Sequence, residues 1–203
     1  MDDREERMAR MREKFAQNPS WQRYAARRKK EAEERRRNAT PPTERQEASI
    51  YAYRQFVQIM SRVVHMASYR DPEGYEQFLP PSLDGPTLAH HARIALAASR
   101  FVLPDHPQFD SLTRMPSQAD LDASEAERRA RAGVKTRSAL YRDAGSVGLQ
   151  LRDGQIEIAP NRYDRAGWWE SIADATTVLP EDVDDETLGT AILDALATSR
   201  AAR

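Results

Sequence analysis

Hydrophobic residues follow different rhythms in different parts of this chain. Residues 146–151 alternate through Val147, Leu149 and Leu151, and residues 155–159 through Ile156 and Ile158. Asp153-Gly154 separates the two runs, which predicts a β-hairpin on a tight turn. Residues 176–179 predict a third strand. Farther along, Leu188, Ile192, Ala195, Leu196 and Ser199 fall within about 100° of arc at about 3.6 residues per turn, as do Leu88, Ala92, Ala95, Leu96 and Ser99. Both sets predict helices with one narrow apolar face. Residues 2–17 and 20–37 also read as helix, being rich in Glu, Arg, Lys and Ala, but they lack an apolar stripe. Asn18-Pro19-Ser20 separates them, and the Pro-containing stretch 38–43 reads as a linker.

The two apolar helices belong to a repeat. Residues 79–100 align without a gap on 179–200, and 10 of the 22 positions are identical. The matches include Pro80/Pro180, Asp84/Asp184, Thr87/Thr187, Ser99/Ser199 and Arg100/Arg200. Each Asp falls where a helix N-cap is needed. Pro86 suits a first helical turn, and Glu186 suits the positive end of a helix. Gly189 inside a helix costs about 1 kcal/mol relative to Ala and so points to a close backbone approach. In the first half, residues 53–60 and 63–66 read as a hairpin or as one helix, and the duplication favours strands. Between the halves, Ser124 and Glu127 read as a capping box that opens a short helix closed by Gly133. Residues 138–143 read as another short helix. The expectation is a mixed α/β (α+β) fold of duplicated strand-hairpin and helix units packed as one domain over 46–203, preceded by a charged helical extension over 1–45.

Charge sharpens that division. The 203-residue chain has a net charge of −1, but residues 1–45 carry +5, residues 46–150 are neutral and residues 151–203 carry −6. With no cysteine, disulfides, thiolate metal sites and Cys nucleophiles are excluded. No apolar run approaches the roughly 20 residues of a membrane span, and no signal-peptide core is recognisable. The arginine-rich head is interleaved with acidic residues that repel phosphate, so nucleic acid is a disfavoured partner there.

The sequence holds no familiar catalytic or cofactor constellation. His90 and His91 are adjacent on a predicted helix, hence about 100° apart, a poor arrangement for one metal ion. Glycine-rich phosphate loops, nucleophile elbows and His-Glu-x-x-His patterns do not occur in it. No cofactor or metal is expected. Asp182, Asp184, Asp185 and Glu186 form the densest carboxylate cluster. They read either as helix capping or as an acidic patch facing a basic partner. Trp168 and Trp169 are adjacent; on a strand one packs inward and the other is free to anchor an interface, or both are buried at a sheet edge.

Several segments together resemble a known family. They are Phe78-Leu79-Pro80 with the helix closing on Ser99-Arg100-Phe101, the stretch Lys135-Thr136-Arg137-Ser138-Ala139-Leu140-Tyr141-Arg142, the hairpin ending in Ile156-Glu157-Ile158-Ala159-Pro160, Trp168-Trp169, and the final helix from Asp185 to Leu196. They resemble the immunity proteins of bacterial contact-dependent growth inhibition systems, over roughly residues 50–200. The resemblance implies a cytoplasmic protein, with no reaction of its own, that binds and neutralises the C-terminal toxin domain of a secreted effector. Many such toxins are nucleases. An alternative reading is a nucleic-acid-binding or adaptor module that acts through the basic head. The candidate interface residues are Asp182, Asp184, Asp185, Glu186, Trp168 and Trp169.

Overall fold

A computed structural model describes residues 43–164 and 168–202. The helices expected over 2–17 and 20–37 lie outside the described residues. Two antiparallel hairpins dominate the rest. The first joins β1 (Gln46–Ala52) to β2 (Val57–Val64), and the second joins β6 (Gly145–Arg152) to β7 (Gln155–Tyr163). The short strands β3 (Ser68–Arg70) and β4 (Glu76–Leu79) pair in succession with the outer side of β2, as β8 (Trp169–Ser171) and β9 (Thr177–Pro180) do with β7. A helix closes each half: α1 (Gly85–Ala97) and α5 (Asp185–Ala201). The segment between the halves contributes β5 (Arg100–Phe101), which lies parallel to the end of β2, and helices α2 (Phe109–Leu112), α3 (Gln118–Ala132) and α4 (Arg137–Tyr141).

The halves meet through β1 and β6, which pair antiparallel with Ser49 opposite Gly148. Adding 99 to the β1 number and subtracting 99 from the β6 number turns the pair Ala48↔Leu149 into Val147↔Ile50, itself a pair in the same ladder. The pairing is therefore two-fold symmetric about Ser49 and Gly148. One face of this sheet carries Ile50, Ile59, Val147, Leu149, Ile156 and Ile158, all packed against Leu88, Ala92, Leu96, Leu188, Ile192 and Leu196 of α1 and α5. Each Leu or Ile so buried contributes about 1.5–3 kcal/mol.

The repeated positions explain themselves in this arrangement. Asp84 and Asp184 each accept a hydrogen bond from the backbone N–H three residues on, at 2.8 Å. Ser99 Oγ accepts from Glu47 N–H and donates to the Arg62 carbonyl, both at 2.8 Å. Ser199 Oγ accepts from Ser146 N–H at 2.8 Å and donates to the Asn161 carbonyl. Each serine thus ties its helix end to the same two strands of its own half. Gly189 lies against Gly85 so closely that a Cβ there would overlap the Gly85 carbonyl.

Three local expectations are corrected. The first hairpin turns at residues 53–56, so residues 53–60 are not one strand. β1 escapes the hydrophobic pattern because alanines supply two of its three buried positions, Ala48 and Ala52. The N-cap of helix α3 lies seven residues before Ser124, in a capping box between Ser117 and Asp120; an aspartate fills the place where a glutamate was sought. Helix α4 is capped by Thr136 and ends at Tyr141, and Asp143 adopts a left-handed φ of 59°. The turn at Asp153-Gly154 has φ of 52° and 72°, and Gly133 closes α3 at φ 66°.

Candidate docking surface

Pleating places Tyr51, Gln58 and Phe78 on the sheet face opposite α1 and α5, because Tyr51 pairs with Gln58 and Gln58 with Phe78. Tyr163 and Trp169, paired across β7 and β8, join the same cluster. Helices α3 and α4 cover this end of the face, with Ala132, Leu140 and Tyr141 packed against Tyr53 and Phe56. The rings form a continuous belt. Phe78 meets Phe56 at 5.6 Å, Phe56 meets Tyr53 at 4.7 Å, and Tyr53 meets Tyr141 at 5.9 Å. Tyr141 stacks on Tyr163 at 4.5 Å, and Tyr163 meets Trp169 at 5.1 Å.

Arginines lie along this belt. The Arg131 guanidinium sits 3.7 Å above the Phe78 ring, and that of Arg137 is 5.8 Å from Tyr141 while its Nε donates to Tyr163 Oη. Arg128 is half-buried, and its Nε is wholly buried without a hydrogen-bond partner. Burial opposes the Arg128 charge; the groups that offset it are the phenols of Tyr53, Tyr141 and Tyr51, none of them a carboxylate. Burial in turn raises the pKa of Tyr53 and of Tyr141, so both are neutral at physiological pH.

The structure separates the predicted interface residues. Trp169 is partly buried in the belt, whereas Trp168 is 64% exposed. Both are therefore not buried together. The carboxylates lie elsewhere: Pro180, just before Asp182, pairs with Gln155 at the start of β7, while Trp169 pairs with Tyr163 at its end. Eight strand steps lie between, about 26 Å. The carboxylates also differ among themselves. Asp184 is the N-cap of α5, and Thr187 hydrogen bonds hold its pKa below the usual carboxylate value. Asp185 accepts from Arg93 Nε at 2.8 Å, and the same guanidinium donates to the Glu181 carbonyl at 2.7 Å and to the Val183 carbonyl. Asp182 and Glu186 are exposed.

Sequence reasoning missed the arginines. Its charge count treated residues 46–150 as neutral, yet residues 125–142 hold Arg128, Arg129, Arg131, Lys135, Arg137 and Arg142 against only Glu125 and Glu127. A shorter counting window was the signal that would have found them. Of the histidines, His91 hydrogen bonds through Nδ1 to Tyr75 Oη at 2.5 Å, while His90 is exposed. Among the described residues, no group of three or more His, Asp or Glu is placed to hold a metal ion. No helix among them is long and apolar enough to cross a membrane.

The family model for the CDI immunity protein matches residues 46–199, the whole span of the two strand-and-helix halves. The chain belongs to the CDI immunity protein family. Two solved structures share the fold of this family member. One is a protein of unknown function from Neisseria meningitidis, with a TM-score of 0.70 and 24% identity over 79% of this chain and 98% of that one. The other is a chain of the CdiA-CT/CdiI toxin and immunity complex from Yersinia pseudotuberculosis, with a TM-score of 0.66 and 23% identity over 78% of this chain and 98% of that one. No curated protein matches this immunity-family chain in sequence.

Proposed function

We propose that this protein binds the C-terminal toxin domain of a contact-dependent growth inhibition effector, a nuclease, and neutralises it in the cytoplasm of the producing cell. The observation that carries this reading is the match of the immunity family model across residues 46–199. The likeness to a chain of a toxin and immunity complex supports it. Within this reading Asp182, Glu186 and Trp168 are the contact candidates from the original set, because they are exposed and, unlike exposed Asp184, their side chains are not engaged by hydrogen bonds among the described residues. Carboxylates suit the positive cleft of a nucleic-acid-degrading enzyme. Asp184 and Asp185 are engaged within the fold, as the cap of α5 and the partner of Arg93, and Trp169 packs into the aromatic belt.

The test is binding and protection with the toxin domain encoded beside this protein. One-to-one binding with nanomolar affinity is expected, together with rescue of cells that express the toxin. Absence of both would sink the reading. A toxin that degrades no nucleic acid would remove the nuclease part alone.

A further inference from the structure

We infer that Arg128, set among the phenols of the aromatic belt, receives an acidic side chain of the toxin domain. This rests on the immunity reading above and adds the chemistry of one contact.

The argument starts from charge pairing. Glu125 lies 3.6 Å from Arg129 and 3.2 Å from Arg137, and Glu127 lies 3.8 Å from Arg131. The two carboxylates of the stretch are thus engaged by other arginines, and none offsets the burial of Arg128. Its surroundings are phenol rings, which offer dipoles but no negative charge at neutral pH. A half-buried cation with an unpartnered Nε is a poor element of stability, since an apolar side chain of similar reach fills such a site at least as well. Nε itself lies out of a partner's reach, so an incoming carboxylate supplies the missing charge at the outer nitrogens of the planar guanidinium, a geometry that lysine cannot offer.

The surroundings fit an interface centre. Tyrosine, tryptophan and arginine are the residues that dominate binding energy at protein contacts, most of all where a ring of neighbours excludes water. The Arg131 and Arg137 side chains, which lie against belt rings, are 44% and 50% exposed. A nucleic-acid phosphate would also meet a guanidinium, but the immunity family match across residues 46–199 favours a protein partner, and RNA binding is an outcome of the test. A single carboxylate on a folded partner meets Arg128 without running along the helix.

The experiment measures binding of the full chain to a catalytically inactivated toxin domain by calorimetry. Arg128→Met is expected to weaken binding by at least about 100-fold while the far-ultraviolet spectrum stays native and Tm does not fall. Arg152→Gln removes the same charge at the hairpin end of β6 and should bind within about threefold of the parent. Arg128→Lys keeps the charge without the planar fork; it should lose about tenfold with an unchanged Tm, and it keeps the test alive if Arg128→Met fails to fold. One Asp or Glu to amide change in the toxin should reproduce the Arg128→Met loss, and the two changes together should lose no more than either alone. Arg128→Met binding within threefold of the parent overturns the inference, as does an equal loss at Arg152. So does retained toxin binding alongside RNA binding that vanishes with Arg128→Met. Absence of binding by the unmodified protein overturns the immunity reading itself, a distinguishable failure.

Discussion

Ser199 shows how much a single hydroxyl can be asked to do. It is 1% exposed, and it satisfies the Ser146 N–H and the Asn161 carbonyl at once. Ser199→Ala leaves both groups without that partner, and unsatisfied buried polar groups cost about 1–3 kcal/mol. Urea unfolding should show a loss in that range with an unchanged m-value. Ser99→Ala should cost less, since Ser99 is only half-buried and sits nearer to water. Gly189 tests the opposite error. Adding a methyl group at Gly189 drives it into Gly85, so Gly189→Ala should destabilise the protein by about 1–3 kcal/mol although alanine is the better helix former. A neutral or stabilising result in thermal melts would show that the helices separate freely.

Among the elements, α1 and α5 share one starting device. Hydrogen bonds from Thr87 and Thr187 hold the pKa of Asp84 and Asp184 below the ordinary value of 3.8. A carboxylate whose pKa is depressed on folding contributes stability above the unfolded value, and that contribution is lost as pH falls through the folded value. The acid limb of the Tm profile should therefore drop below about pH 4. It should flatten in the double variant Asp84→Asn and Asp184→Asn, checked by melts from pH 2 to 7. These caps were legible in the sequence because a cap and its partner lie three residues apart. The start of α3 was misread for the same local reason: two Ser-x-x-acid patterns stand in sequence, and only Ser117 sits where the chain enters the helix. Strand β1 was invisible because two alanines leave little hydrophobic alternation to detect.

For the whole molecule, the second face of the sheet sets an alkaline limit. Burial raises Tyr53 and Tyr141 above the ordinary phenol value of 10.0, so each keeps its proton in the folded state after the unfolded chain has lost it. Their contribution to stability is complete below about pH 10 and is lost as pH rises above it. Tm should fall steeply beyond pH 10, and the absorbance of tyrosinate near these residues should appear only with unfolding. Early ionisation of all tyrosines in the native protein would contradict the packing of the belt. The candidate surface belongs to this scale as well. The belt draws Tyr51, Phe78, Tyr141, Tyr163 and Trp169 from five separate elements, and no linear pattern joins them. The carboxylate cluster was conspicuous because its members are neighbours in the chain, yet proximity in sequence said nothing of Arg93, 92 residues from Asp185, which neutralises one of them.

The amino-acid sequence by itself determined what acts over a few residues. Helix phase, the two aspartate caps, the Asp153-Gly154 turn, the Gly133 stop and the repeat are of this kind, because their physics is completed within a turn of helix or a tight hairpin. The tertiary structure decided the antiparallel joining of β1 to β6, the Gly85–Gly189 contact, the parting of Trp168 from Trp169, and the charge balance of each site. Strand register brings together residues about 100 positions apart, and whether a charged group is paired depends on what that register delivers beside it. The −6 of residues 151–203 thus divides into capping and paired carboxylates and a few exposed ones, while a neutral middle segment yields an arginine, Arg128, that no carboxylate of the described residues meets.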